Sequence, residues 1–309
     1  MEPPQHTVDM LRVYMPSGEM LVAVPVEELS TVKALKQKVQ SIGGLPRFRQ
    51  RLLHGGTVLK DDFRLESPLD LQLVVLNYVA ASDAQGNELV GACASGTEAG
   101  VEAILDRPQD PNRLSGFGPL LVGPLQLASM MGRVDNMRLL LEARAELDGV
   151  SDSPFYSPRV TALSGAAEQG RVDAVRLLLA ARADAEIRSC GHGRTALWLA
   201  SYTGRSRVVR LLLEAGAEKE AADNVGMTPL GAACSMGRFR VVRSLLAASA
   251  SVSARDRDAV LKAHVRGRLQ ILRLLSKHRW SRTRFTRDPA RQDAVVHERR
   301  LQLLEDGSI

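Results

Sequence analysis

Gly191-His192-Gly193-Arg194-Thr195-Ala196 spells Gly-x-Gly-x-x-Ala ahead of a helical segment, the pattern that lets backbone amides approach a dinucleotide pyrophosphate. No strand–helix–strand unit surrounds it, so it reads as a loop between helices. Cys190 and His192 offer two donors where zinc takes four, and no Cys-x-x-Cys pair stands elsewhere. His6, His54, His192, His264, His278 and His297 fall in unrelated contexts, without Gly-x-Ser-x-Gly or His-Glu-x-x-His. No catalytic residue, cofactor-binding residue or metal ligand is assigned. The chain reads as a non-enzyme without a cofactor. Cys93 and Cys234 occupy one equivalent slot and read as small core residues.

The remaining chemistry is charge. Arg133, Arg171, Arg205, Arg238 and Arg268 follow glycines, and Arg138, Arg176, Arg210, Arg243 and Arg273 recur five residues later. They read either as a solvated face with carboxylates nearby or as a basic stripe for an acidic partner. The net charge is +6, yet residues 262–287 alone carry nine Lys/Arg and no Asp or Glu. The high pI is therefore local. Residues 277–287, rich in Lys and Arg with Trp280 and Phe285, read as a solvated tail or as a weak contact for polyanions.

The elements that position these residues fall into two kinds. Residues 10–76 contain strand-like runs at Met10–Met15 and Met20–Val26 around the turn Pro16-Ser17-Gly18-Glu19. Ser30 is the expected N-cap of a helix whose Val32, Leu35, Val39 and Ile42 share a face, and Gly43-Gly44 ends it. Arg51–His54 and alternating Leu69, Leu71, Leu73 and Val75 give two further strands. Gly44-Leu45-Pro46, Gln50-Arg51-Leu52-Leu53, Gly56, Leu59-Lys60-Asp61-Asp62 and Leu71–Leu76 resemble ubiquitin. The resemblance implies a β-grasp fold, with the family's docking patch on Leu53, Gln72 and Val74. The chain departs from the family in its shorter first hairpin and in running past Leu76 without Gly-Gly.

After a linker at 77–85 the chain repeats itself. Gly96, Gly132, Gly170, Gly204, Gly237 and Gly267 are spaced by 36, 38, 34, 33 and 30 residues. Alanine stands four before each glycine, and Asn87, Gly123, Thr161, Thr195, Thr228 and Asp258 stand nine before as N-caps. Aliphatic residues at five, eight and nine after each glycine give a second amphipathic helix. These helix–turn–helix units resemble ankyrin repeats over residues 86–276, with Thr228-Pro229-Leu230 the nearest copy. Gln126, Ser164, Trp198, Gly231 and Leu261 replace the family's histidine, so its hydrogen bonds to the loops are lost or replaced. Arg144, Arg182 and Ser249 stand where Gly216 keeps glycine, at positions expected to be left-handed.

The fold class that follows is an α+β β-grasp domain and then an all-α ankyrin-repeat solenoid of six units, the first and last degenerate caps. A basic tail at 277–309, with a short helix over 295–304, closes the chain. The function that follows is an adaptor or scaffold gripping a partner protein along the concave face, through Met130, Met131, Glu168, Gln169, Tyr202, Thr203, Ser235 and Met236. Phe155 and Tyr156, on the longest finger, either join that grip or fold back onto the repeats. The alternatives are a nucleic-acid or anionic-lipid binder through residues 262–287, and an accessory factor in ubiquitin signalling. No apolar run approaches the roughly 18 residues of a membrane span. Met1–Met10 lacks the charged and apolar regions of a leader. With no glycosylation sequon and three cysteines, an intracellular, cytoplasmic or nuclear setting is expected.

Overall fold

The computed structural model describes residues 9–78, 83–107, 109–117, 120–150, 160–189, 191–251, 256 and 269–277. Phe155, Tyr156, Cys190, the expected helix over 295–304 and nearly all of the basic tail lie outside the described residues. Two compact units divide the chain, Met1–Ser157 and Pro158–Ile309.

The first unit begins with β1 (Met10–Tyr14), β2 (Met20–Pro25), α1 (Val32–Gly43), β3 (Gln50–His54), β4 (Thr57–Val58) and β5 (Asp70–Val75). The sheet order is β2-β1-β5-β3-β4, with β1 and β5 parallel and the other pairs antiparallel. Strand side chains alternate between faces. Leu11, Val13, Leu52, Leu71 and Leu73 therefore point one way and pack on Val32, Leu35 and Val39 of α1. This is the β-grasp arrangement. Thr31, not Ser30, caps α1: its hydroxyl accepts from Ala34 N at 3.3 Å. The Ser30 carbonyl instead takes Leu65 N, at 3.2 Å, which ties the helix entry to the chain leading into β5.

Helices α2 (Asp83–Ser95) and α3 (Glu98–Leu105) follow, then a hairpin of β6 (Ser115–Phe117) and β7 (Leu120–Val122), then α4 (Pro124–Met131) and α5 (Val134–Glu142). Helix α2 starts at Asp83, inside the stretch read as linker. Asn87 thus sits within the helix instead of capping it, and its side chain accepts from Gly116 N of the hairpin at 3.1 Å.

One arginine ties the β-grasp sheet to these helices. Arg47 is 1% exposed. It donates to Asp61 at 2.6 Å, to Glu102 of α3 at 2.9 Å and to Glu142 of α5 at 3.1 Å. Lys36 reaches Asp61, and Lys33 donates to Glu102 at 2.8 Å, so three cations meet three carboxylates. Gln37 and Gln40 of α1 add bonds to the Glu142 side chain and carbonyl at 2.8 and 3.1 Å. Burial pushes the Asp61 carboxyl up, but the Lys36 ammonium and the Arg47 guanidinium outweigh it and hold the group below its ordinary range. Glu102 is lowered against the same burial by Lys33 and Arg47.

The second unit pairs α6 (Ala162–Gln169) with α7 (Val172–Ala180), α8 (Ala196–Thr203) with α9 (Ser206–Glu214), and α10 (Pro229–Met236) with α11 (Phe239–Ala247). A last helix, α12 (Leu269–Lys277), packs on α11. Thr161, Thr195 and Thr228 each cap a first helix by accepting from the backbone N–H three residues on. First helices stack on first helices, α6 on α8 and α8 on α10. Second helices bury one stripe, such as Val208, Val209 and Leu212 of α9. The positions without glycine at the ends of second helices are left-handed: φ is 67° at Arg144, 68° at Arg182 and 60° at Ser249.

Candidate protein-interaction face

The third residue of each first helix decides how a helix grips the next finger, the loop that precedes the following repeat. Gln126 donates to Gly149 O at 2.8 Å. Ser164 accepts from the buried Ser189 hydroxyl at 2.8 Å. The Trp198 indole N–H donates to Met227 O at 2.9 Å. At Gly231 the helix supplies no side chain, and the loop supplies one: Asp256 accepts from Thr228 N and its hydroxyl at 3.0 and 2.8 Å. The missing histidine is thus replaced four times, by four chemistries.

Trp198 organises the middle of this face. It is 1% exposed and stacks on Tyr202, with ring centroids 5.3 Å apart and planes 14° from parallel. The Arg194 guanidinium lies 4.2 Å from the Trp198 ring centroid, and Asp223 stands 4.0 Å from Arg194 Nε. Tyr202, at the open end of the stack, keeps 37% of its surface exposed. A finger tip beyond carries Val225, 69% exposed.

Three of the arginines after the glycines, Arg133, Arg205 and Arg238, are inter-repeat staples. Arg205 Nε donates to Glu168 O at 3.0 Å and Arg238 Nε to Tyr202 O at 3.1 Å, each closing the end of the preceding first helix. Arg133 does the same to Ala94 O at 3.1 Å in the first unit. A Cβ added at Gly170 or Gly204 would stand 2.7 Å from the Cδ of Arg205 or Arg238. Glycine there serves both the left-handed turn and the close approach of the next arginine.

Of the residues expected to grip a partner, Tyr202 and Gln169 are exposed, and Glu168, Thr203, Ser235 and Met236 are half-buried on α6, α8 and α10. The structure brings Tyr202 beside the α10 group through the Arg238 bond. Met130 and Met131 lie at the end of α4 in the first unit, Met131 37% exposed. Sequence reasoning missed Arg194 and Val225. Both lie on fingers, outside the helical periodicity that organised the reading.

The glycines of Gly191-His192-Gly193 meet a neighbouring finger: Asn224 donates its side chain to Gly191 O at 3.0 Å and its backbone N–H to His192 O at 2.9 Å. A Cβ at Gly193 would lie 2.1 Å from Asn224 Oδ1. Among the described residues no group of three or more His, Cys, Asp or Glu is placed to hold a metal ion. Cys93 and Cys234 are buried in the core, and burial pushes the Cys93 thiol up to about 12.

On the β-grasp, Leu53 faces Gln72 and Arg51 faces Val74 across the β3–β5 register. Leu53, Gln72 and Val74 occupy the sheet face away from α1, Gln72 exposed and the other two half-buried. Arg51 donates to the carbonyl of Asp106 at the end of α3, so one flank of the patch is held by the helices. Beside it, a charged groove of about 680 Å³ opens between α1, β4 and α3, lined by Lys33, Lys60, Asp62 and Asp106 among others.

The ubiquitin family matches residues 11–77, and ankyrin repeats, in three copies, match residues 125–223 and 163–256. A comparison with curated proteins found no match. The chain therefore carries a ubiquitin-family β-grasp domain at its N-terminus and ankyrin repeats after it. Ankyrin repeats give it the capacity to bind other proteins. No helix among the described residues is long and apolar enough to cross a membrane.

Proposed function

We propose that the chain is a non-catalytic adaptor that grips a partner protein on the face formed by α6, α8 and α10. The observation that carries this is the Arg194–Trp198–Tyr202 stack. Aromatic anchors with locked rotamers lose little entropy on binding and dominate interface energies. Here the inner ring is fixed by a hydrogen bond and a cation, while the outer ring is left open to a partner. Gln169, Thr203, Ser235 and Met236 surround it with adaptable polar and thioether contacts. Glu168, beside Gln169 at the end of α6, joins the grip in this reading. The test is a photo-crosslinking residue placed at Tyr202 or, as control, at the exposed Glu66 of the β-grasp domain. Cross-links to one protein should form from position 202 and not from 66. Equal yields from both would end the proposal.

A second reading, an accessory role in ubiquitin signalling, is supported by the outward placement of Leu53, Gln72 and Val74. Because the chain runs on past Leu76 without Gly-Gly, the domain in this reading is docked and not conjugated. Recovery of residues 1–76 covalently attached to other proteins would overturn it.

A further inference from the structure

The second helices of four repeats share one register, and in it a charge changes sign. The second residue is Asp135 in α5, Asp173 in α7, Arg207 in α9 and Arg240 in α11. The fifth residue is arginine throughout: Arg138, Arg176, Arg210 and Arg243. In α5, Arg138 donates to Asp135 at 2.9 Å, and in α7 Arg176 lies 3.7 Å from Asp173. In α9 and α11 a second guanidinium stands in the carboxylate's place.

Packing does not require the exchange. Val208, Val209 and Leu212 of α9 bury the same stripe as Ala174, Val175 and Leu178 of α7. Arg207, Arg210, Arg240 and Arg243 are all exposed, and none joins an ion pair among the described residues. Like charges three apart on a helix repel and destabilise it. Helix α9 packs beside α11. The four arginines thus form a grid on adjacent helices, with Cβ atoms about 5–6 Å apart along each helix and helix axes about 8–10 Å apart.

We propose that the outer face of α9 and α11 is a docking surface for an acidic protein segment. The segment's carboxylates take the places that Asp135 and Asp173 fill in the other two helices. Guanidinium forks match carboxylates in two-point contacts. The surface favours a discrete acidic segment over a nucleic acid. Glu214 continues the α9 stripe four residues past Arg210, so a phosphate backbone running along the helix would meet a negative charge. The only aromatic residue on either helix, Phe239, is half-buried, which leaves no stacking platform for bases. This surface is separate from the Tyr202 face and does not depend on that reading.

The test uses the full chain and two labelled probes, a decamer of glutamate and a single-stranded DNA of about the same charge. Arg207→Asp with Arg240→Asp restores the pattern of α5 and α7. The double variant should bind the glutamate peptide at least about tenfold more weakly at moderate salt, since two reversed charges oppose it. Its melting temperature should stay level or rise. Should the reversal impair folding, Arg207→Gln with Arg240→Gln reads the same surface. No peptide binding by the wild-type chain, equal binding by the variants, or DNA bound more tightly than peptide and lost in the variants would each overturn the proposal.

Discussion

Asp256 is 0% exposed and comes from a segment 25 residues beyond the glycine it faces, yet it decides what Gly231 can be. A Cβ at Gly231 would stand 2.0 Å from Asp256 Oδ1, and the carboxylate is pinned because Oδ1 accepts from Thr228 N and Oδ2 from its hydroxyl. Alanine in place of an interior helical glycine ordinarily gains about 1 kcal/mol. Here Gly231→Ala should instead lower stability by about 1–3 kcal/mol, the range for forcing a methyl into a filled site. Urea unfolding checks it, and a stabilised variant would show that Asp256 yields freely. The loss of the family's histidine was legible in the sequence, because it stands at a fixed offset from each glycine. Its replacements were not. Gly149, Ser189, Met227 and Asp256 share no residue type, so no pattern joins them to Gln126, Ser164, Trp198 and Gly231.

Helices were legible for the opposite reason, since repeats share offsets: Thr161, Thr195 and Thr228 stand nine before Gly170, Gly204 and Gly237, and all three cap a helix. Offsets from Gly216 alone located the left-handed residues Arg144, Arg182 and Ser249, and all three have positive φ. A side chain with a Cβ costs on the order of 1 kcal/mol in that conformation. Arg182→Gly should therefore raise stability by about 1 kcal/mol, less the entropy the unfolded chain gains from glycine. Gly216→Arg should lower it by a similar amount. Thermal melts of the two variants test the pair, and a shift of the same sign in both would refute the argument. Where local signals were weaker, boundaries moved. The N-terminal end of α2 was misread because Asn87 is a good cap residue, whereas in the structure its side chain serves the hairpin.

Nothing in the sequence of the β-grasp domain announces that it is fused to the first repeats. Arg47, between Pro46 and Phe48, looks like a surface residue of a short turn until Asp61, Glu102 and Glu142 close on it. The three carboxylates come from one loop and two helices, so Arg47→Ala would leave Asp61 to Lys36, Glu102 to Lys33 and Glu142 to Gln37, and remove the one group that joins all three. Removing one member of a buried ionic cluster costs about 3–5 kcal/mol, and the partly wet carboxylates place this case near the lower end. Acid should act on the same joint. Asp61 and Glu102 have folded pKa values below their ordinary 3.8 and 4.5. A carboxyl depressed by folding adds stability that is complete above its unfolded pKa and disappears as pH falls through its folded pKa. Asp106 works in the opposite sense: burial and the nearby Asp61 charge raise it, so its protonation in acid offsets part of the loss. Asp61→Asn with Glu102→Gln should be less stable than the wild type at neutral pH, and the gap should close as pH falls below about 4. Arg47→Ala should make residues 10–76 of the chain more susceptible to proteolysis at neutral pH, and acid should do the same in the wild type. A stability gap between wild type and double variant that persists unchanged into strong acid would show that neutral hydrogen bonds, and not the ion pairs, hold the joint.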